Sequence, residues 1–149
     1  MNRKQIHEGI TAEFFSRHLP KRISQSLPEL FSGVRDEILF GGGKSNVVAF
    51  HENGKLIGAC CLTFEQWTMV NGLPSWDIYI DRFEVSSKFQ RRGYGTKMFN
   101  WMVGLFNPHE VSLSHFSKDA DGGVSESFWK SVGFKHSRGY TQYMTIKIK

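Results

Sequence analysis

The sequence predicts an α/β fold, a mixed β-sheet in one layer with helices on both faces, built as a single domain over residues 1–149. Three observations carry that expectation. Two apolar strand patterns meet at Asn53-Gly54, a dipeptide that tolerates positive φ in a two-residue hairpin turn. A strand pattern ending at Val85 runs into the turn Gln90-Arg91-Arg92-Gly93-Tyr94-Gly95-Thr96-Lys97, behind which Met98, Phe99, Met102, Leu105 and Phe106 recur at helical spacing. The remainder then reads as strand, helix and strand.

Taken in order, the first forty residues hold two short helical patterns, residues 12–19 and 23–31, limited by Pro20 and Pro28. Gly41-Gly42-Gly43-Lys44-Ser45 resembles a phosphate-binding loop only superficially. Ile38 stands where that motif needs its first glycine, and the segment precedes a strand instead of joining strand to helix, so a flexible loop is expected. Residues 47–52 and 55–64 form the hairpin strands. A loop, Asn71-Gly72-Leu73-Pro74, leads to a strand over residues 76–85, so three antiparallel strands are expected before the glycine turn. A helix over 92–106 and a strand over 111–116 follow. Next come a polar loop at 117–123, a helix over 125–132 stopped by Gly133, and a last strand over 141–148.

Composition narrows the functional classes. Apolar residues at 40% and aromatics at 14% argue against disorder, and no apolar run approaches the roughly 20 residues that a membrane helix needs. No apolar run follows Met1-Asn2-Arg3-Lys4-Gln5 to make a secretory signal, so a cytoplasmic protein without a membrane partner is expected. Cys60 and Cys61 are adjacent, which in a strand puts them on opposite faces and implies no disulfide framework. The six histidines are dispersed without zinc-type spacing, so no metal is expected. The net charge of +5 is spread over Lys21-Arg22, Lys88, Arg91-Arg92, Lys97, Lys147 and Lys149. That dispersal, with no recognisable DNA-binding helix, argues against nucleic acid as the partner.

The turn at 90–97 is a strand-to-helix corner. At such a corner the first helical amides lack intrahelical acceptors, so a docked anion gains several N–H bonds and the positive end of the helix dipole. Gly93 and Gly95 would let a phosphate approach the backbone. The same residues also suit an ordinary solvated turn.

Two separated motifs resemble the GNAT superfamily of acyl-CoA-dependent N-acetyltransferases. Val85-Ser86-Ser87-Lys88-Phe89-Gln90-Arg91-Arg92-Gly93-Tyr94-Gly95 carries the family's Q/R-x-x-G-x-G/A behind a strand ending in valine. Phe128-Trp129-Lys130-Ser131-Val132-Gly133-Phe134 is similar to its later FYxxxGF, with one substitution. The resemblance implies a mostly antiparallel sheet with a splayed parallel pair. It also implies that acetyl-CoA is the co-substrate and that an amine of a small molecule or protein is the acceptor, attacking directly in a ternary complex. Cofactor-binding residues are then Phe83, Val85, Gln90, Arg91, Arg92, Gly93, Tyr94, Gly95, Thr96 and Trp129, with main-chain groups of Phe83 and Val85 facing the pantetheine arm. Homodimers are common among such folds.

For catalysis the resemblance points to Asp81, four residues before Val85, as the base; a salt bridge is the alternative task for the same carboxylate. Strict alternation puts Tyr79, Asp81, Phe83 and Val85 on one face and Glu84, a second candidate base, on the other. His115 stands near the next strand's end as a candidate relay. The family's tyrosine, which protonates the departing thiolate, is replaced by Trp129, whose indole cannot serve as that acid. Tyr140 is the substitute named here, with Tyr143, Ser125 or a water equally open. The substitution also suits a catalytically silent relative that binds acyl-CoA or a protein partner.

Overall fold

The structure, a computed structural model, describes residues 3–114, 126–137 and 140–149, with backbone only at residues 137 and 140–142. The elements are β1 (Arg3–His7), β2 (Ile10–Phe15), α1 (Lys21–Ser24), α2 (Asp36–Leu39), β3 (Ser45–Glu52), β4 (Lys55–Val70) and β5 (Leu73–Val85). They continue with α3 (Tyr94–Phe106), β6 (Glu110–Ser114), α4 (Glu126–Ser131), β7 (Lys135–Ser137) and β8 (Tyr140–Lys147). Eight strands form one sheet in the order β1-β2-β3-β4-β5-β6-β8-β7, parallel only at β5–β6.

Both faces of the sheet are covered. On one, Met98, Phe99 and Met102 of α3 and Trp129 of α4 pack against Val48, Phe50, Leu62, Ile78, Ile80 and Phe83. On the other, Leu19, Ile23, Leu27, Phe31, Leu39 and Phe40 cover Val47, Ala49, Ala59 and Cys61. Cys60 and Cys61 fall on opposite faces, as expected, and both are free and buried.

The N-terminal reading needs correction. Residues 12–19 do not form a helix: Ile10–Phe15 pairs with β3 from Ile10↔Glu52 to Phe15↔Val47, and β1 pairs outside it. Phe14-Phe15 fits either period, and the open edge of β3 decides in favour of the strand. Five strands, not three, therefore precede the corner. The helix expected over 23–31 shrinks to the single turn of α1, yet Ile23, Leu27 and Phe31 are still buried, brought together by turns such as Phe31 N–H to Leu27 O at 3.2 Å. Gly41–Gly43 forms a 3-10 turn. Asn53-Gly54 makes the expected turn with φ of 49° and 81°. Asn71-Gly72 makes a second one (52° and 79°), so Leu73 and Pro74 belong to β5 and not to a loop. The three-residue β7, too short for a periodic signal, was missed. The loop at 117–123 lies outside the described residues.

Candidate active site

The site is organised by an irregularity in β5. Cys61 pairs with Arg82 and Leu62 with Ile80, so Asp81 is an extra residue, a β-bulge. The strict alternation expected here fails for that reason. Ile78 and Ile80 before the bulge share the α3 face with Phe83 and Val85 after it, and Asp81 and Glu84 both face the segment that precedes β3. The parallel ladder to β6 also stops at the bulge, its last pair being Ile80↔Leu113. Past that point β5 keeps β4 as its partner and, among the described residues, no strand on its other side. This gap is the splay between the parallel strands.

Asp81 sits at the head of the gap. Its Oδ2 accepts hydrogen bonds from the Thr63 hydroxyl at 2.6 Å and the Ser45 hydroxyl at 3.5 Å. Burial pushes its carboxyl above the ordinary carboxylate range, and the two hydroxyls and Arg82 only partly oppose that. Glu84 has a different task. One oxygen accepts the Leu30 amide at 2.8 Å and the other the Glu29 amide at 3.2 Å, while Arg82 donates to Leu30 O at 2.8 Å. Together these bonds lock residues 29–30 onto β5. Burial raises the Glu84 carboxyl as well, and the two amides counter it.

After Val85 the chain makes a 3-10 turn, Ser87–Phe89, and enters α3. Gln90 braces the corner by donating its side-chain amide to Val85 O at 2.9 Å, so that carbonyl is already engaged. Arg91 adopts a left-handed conformation (φ 61°), and so does Gly93 (79°), the N-cap of α3. No side chain caps this helix, so its first amides stay free for an external acceptor. At Gly95 a Cβ would lie 2.9 Å from Phe128 Cε1, so the glycine lets the helix pack against that ring. Arg92 lies over Phe89 and Tyr94, and Lys97 Nζ lies 4.6 Å from the Tyr94 ring. Tyr94 donates its hydroxyl to Glu52. Thr96 is in the first turn of α3.

Trp129 is fully buried against Phe83, Phe128 and Phe134, with ring centroids 5.0, 4.9 and 5.2 Å away. Its Nε1–H has no partner, the one such buried side-chain donor among the described residues. An orphaned buried donor costs about 1–3 kcal/mol, which a ligand acceptor entering beside Phe83 would relieve. Uncapped amides at the corner and this indole N–H are the two features that fit a long phosphorylated thioester. The side chain of Tyr140, with His115 and Ser125, lies outside the described residues.

Register also assembles groups that spacing did not reveal. Asp77 pairs with Glu110 across β5–β6, and His109 Nδ1 lies 3.0 Å from Asp77 Oδ1. The three offer ligand atoms within 4.8 Å of one another, a cluster able to hold a metal ion that the dispersed histidines gave no sign of. Glu65, Gln66, Asp77, Glu110, Ser112 and Tyr143 line a cavity of about 570 Å³. Burial, and then the charges of Asp77, Asp81 and Glu110, raise the Glu65 carboxyl. Sequence periodicity could not show this pocket, because it is formed across four strands, β4, β5, β6 and β8.

One mixed α/β sheet whose single parallel pair splays open beside the N-terminus of α3 is the architecture of the chain. The sequence profile of the Acetyltransferase (GNAT) family matches residues 5–134, and the chain belongs to that family. No curated protein sequence matches it. Solved structures with the same fold include a GNAT family acetyltransferase from Elizabethkingia anophelis with acetyl-CoA bound, 15% identical over 95% of this chain and 100% of that one, TM-score 0.61. A variant of the toxin AtaT, bound to the C-terminus of the antitoxin AtaR and acetyl-CoA, is 13% identical over 93% of each chain, TM-score 0.62. Arabidopsis thaliana Naa50 in complex with the bisubstrate analogue CoA-Ac-MVNAL is 14% identical over 92% of this chain and 99% of that one, TM-score 0.55.

Proposed function

We propose that this protein transfers the acetyl group of acetyl-CoA to a primary amine, with Asp81 as the base. The observation that carries the reading is the bulge at Asp81, which ends the β5–β6 ladder and holds a half-buried carboxylate at the head of the gap it opens. The amides of residues 94–96 and the backbone at Arg91 and Gly93 bind the pyrophosphate, with Arg92 and Lys97 beside it. The pantetheine arm runs along the open edge of β5 past Phe83, where the Trp129 N–H finds its acceptor. Relatives of this fold that hold acetyl-CoA or a CoA–peptide conjugate support the choice of co-substrate and leave small-molecule and protein amines both open.

The acceptor arrives charged. With an amine pKa of about 10.4, deprotonation at pH 7 costs roughly 4–5 kcal/mol, so a base that takes the proton is useful. The amine nitrogen attacks the thioester carbon and loses its proton to Asp81. The C–S bond then breaks, and the electron pair leaves on the CoA sulfur as a thiolate, whose pKa near that of a cysteine thiol lets it depart without full protonation. The acid-lined cavity at Glu65, Asp77 and Glu110 favours a cationic amine. Acetyl-CoA is expected to raise the melting temperature, and CoA-thiol release over a panel of amines is expected to disappear in Asp81→Asn. An unchanged melting curve at saturating acetyl-CoA sinks the proposal. Trp129 in place of the family's tyrosine favours one other reading, a silent acyl-CoA binder, for which the same panel would show binding without release.

A further inference from the structure

The parallel pair has a closed end as well as a splayed one. β5 and β6 part beyond Ile80↔Leu113, and their ladder begins at Asp77↔Glu110, whose side chains fall on the face opposite α3. His109 is fixed beside them by its main chain. Its N–H donates to Trp76 O at 2.8 Å, and its carbonyl accepts the amides of Ile148 at 2.9 Å and Lys149 at 3.3 Å. All three side chains thus project from backbone that strand pairing already holds.

Their charges are only partly met. His109 Nδ1 lies 3.0 Å from Asp77 Oδ1, so one imidazole serves one of the two carboxylates. Gln66 Nε2 donates to the other Asp77 oxygen at 3.5 Å. Lys147, opposite Glu110 on β8, is exposed, and Lys149 Nζ is directed to Ser75 Oγ at 3.1 Å. Among the described residues neither Asp77 nor Glu110 is paired with a lysine or arginine. The surplus reaches across the cavity, where Asp77 and Glu110 add to the effect of burial in raising the Glu65 carboxyl.

We propose that Asp77, His109 and Glu110 bind one divalent transition-metal ion of the Zn²⁺ type, which pins β5 to β6 at the end opposite the splay. Ligand chemistry selects the ion. An imidazole nitrogen suits Zn²⁺, whereas Mg²⁺ and Ca²⁺ take oxygen ligands. Geometry agrees. Ligands at Zn²⁺ distances of about 2.0–2.2 Å in a tetrahedral array stand about 3.4 Å apart. The three ligand atoms here lie within 4.8 Å of one another, so side-chain rotation closes the set while the strands stay in place. The cavity of about 570 Å³ that Asp77 and Glu110 line leaves room for water to complete the shell. Binding there requires neither acetyl-CoA nor an amine.

Calorimetric titration of metal-free protein with Zn²⁺ tests this, with Co²⁺ as a spectroscopic probe. Wild type is expected to bind one Zn²⁺ per chain, to give visible Co²⁺ bands, and to gain a rise in Tm that a chelator reverses. His109→Ala and Glu110→Gln should each weaken Zn²⁺ at least about tenfold, because losing even a group that only orients a ligand costs 10–100-fold. His136→Ala, at the separate exposed pair with Glu126, should leave the affinity unchanged. Far-UV circular dichroism and metal-free melting curves establish that each variant is folded. Amide exchange needs no variant: residues 110–113 of wild type should exchange more slowly with Zn²⁺ bound. A wild type without saturable Zn²⁺ binding overturns the proposal, as does undiminished affinity in folded His109→Ala or Glu110→Gln. Equal affinity for Mg²⁺, the behaviour of a bare acidic cavity, overturns the imidazole-bearing site, and unchanged exchange in β6 overturns the clamp.

Discussion

Gly58→Ala tests the packing that places β5. The glycine lies in β4 opposite Val85, and a Cβ there would stand 2.3 Å from Glu84 O, 2.6 Å from Met98 Sδ and 3.0 Å from Met98 Cε. Met98 can rotate only into a full core, since it is itself completely buried. The nearest atom is a backbone carbonyl of β5, so relief requires the strand to move by about 1 Å. Overpacking usually costs about 1–3 kcal/mol, and with backbone as the obstacle the upper end, about 3 kcal/mol, is expected. For a chain of this size that lowers Tm by roughly 10 °C. Gly104→Ala is the matched control: it lies within α3 with nothing inside 4 Å of the added carbon, and should gain about 0.5–1 kcal/mol. Urea unfolding followed by far-UV circular dichroism reads both. Because Glu84 and Val85 move, the acetyl-CoA-induced rise in Tm should also shrink in Gly58→Ala but not in Gly104→Ala. A Gly58→Ala protein within 1 kcal/mol of wild type, against the ~3 kcal/mol expected from a backbone obstacle, would refute the reasoning.

Three further outcomes are expected. Asp81→Asn should lower kcat/KM by about 10²–10⁴-fold and abolish the acid limb of its pH profile. In wild type that limb should lie above the ordinary carboxylate value of 3.8, because burial raises the group and only its ionised form accepts a proton. Glu13 is the opposite case: Arg22 at 2.6 Å and Arg3 at 3.2 Å outweigh its burial and lower its carboxyl. Its folded pKa is below the unfolded one, so its contribution is present above pH 4.5 and lost as pH falls through the folded value. Acid unfolding curves of Glu13→Gln should therefore be flatter than those of wild type. Finally, burial pushes the Cys61 thiol up to about 12 and Cys60 higher still, so an aromatic disulfide reagent should label neither until the protein unfolds.

How much could be read from residue order varies along the chain. The corner at 90–97, the Asn53-Gly54 hairpin and the helix behind Gly93 were legible, because each depends on local rules: positive φ, a helix start, a 3.6-residue repeat. The first forty residues were not, since Phe14-Phe15 suits either period and only the edge of β3 makes that segment a strand. Within the site, Asp81 stood out by its distance from Val85, but its task and that of Glu84 depend on a bulge that alternation cannot foresee.

Local order in the sequence thus determined the family, the strand-to-helix corner and the strand that carries the carboxylates, because those features involve neighbours in the chain. Tertiary structure decided which face Asp81 occupies, that Glu84 holds residues 29–30, that Gly95 accommodates Phe128, and that Glu65, Asp77 and Glu110 share one cavity. Each of those depends on the register between strands distant in sequence, and a shift of one residue in register reverses every side chain that follows.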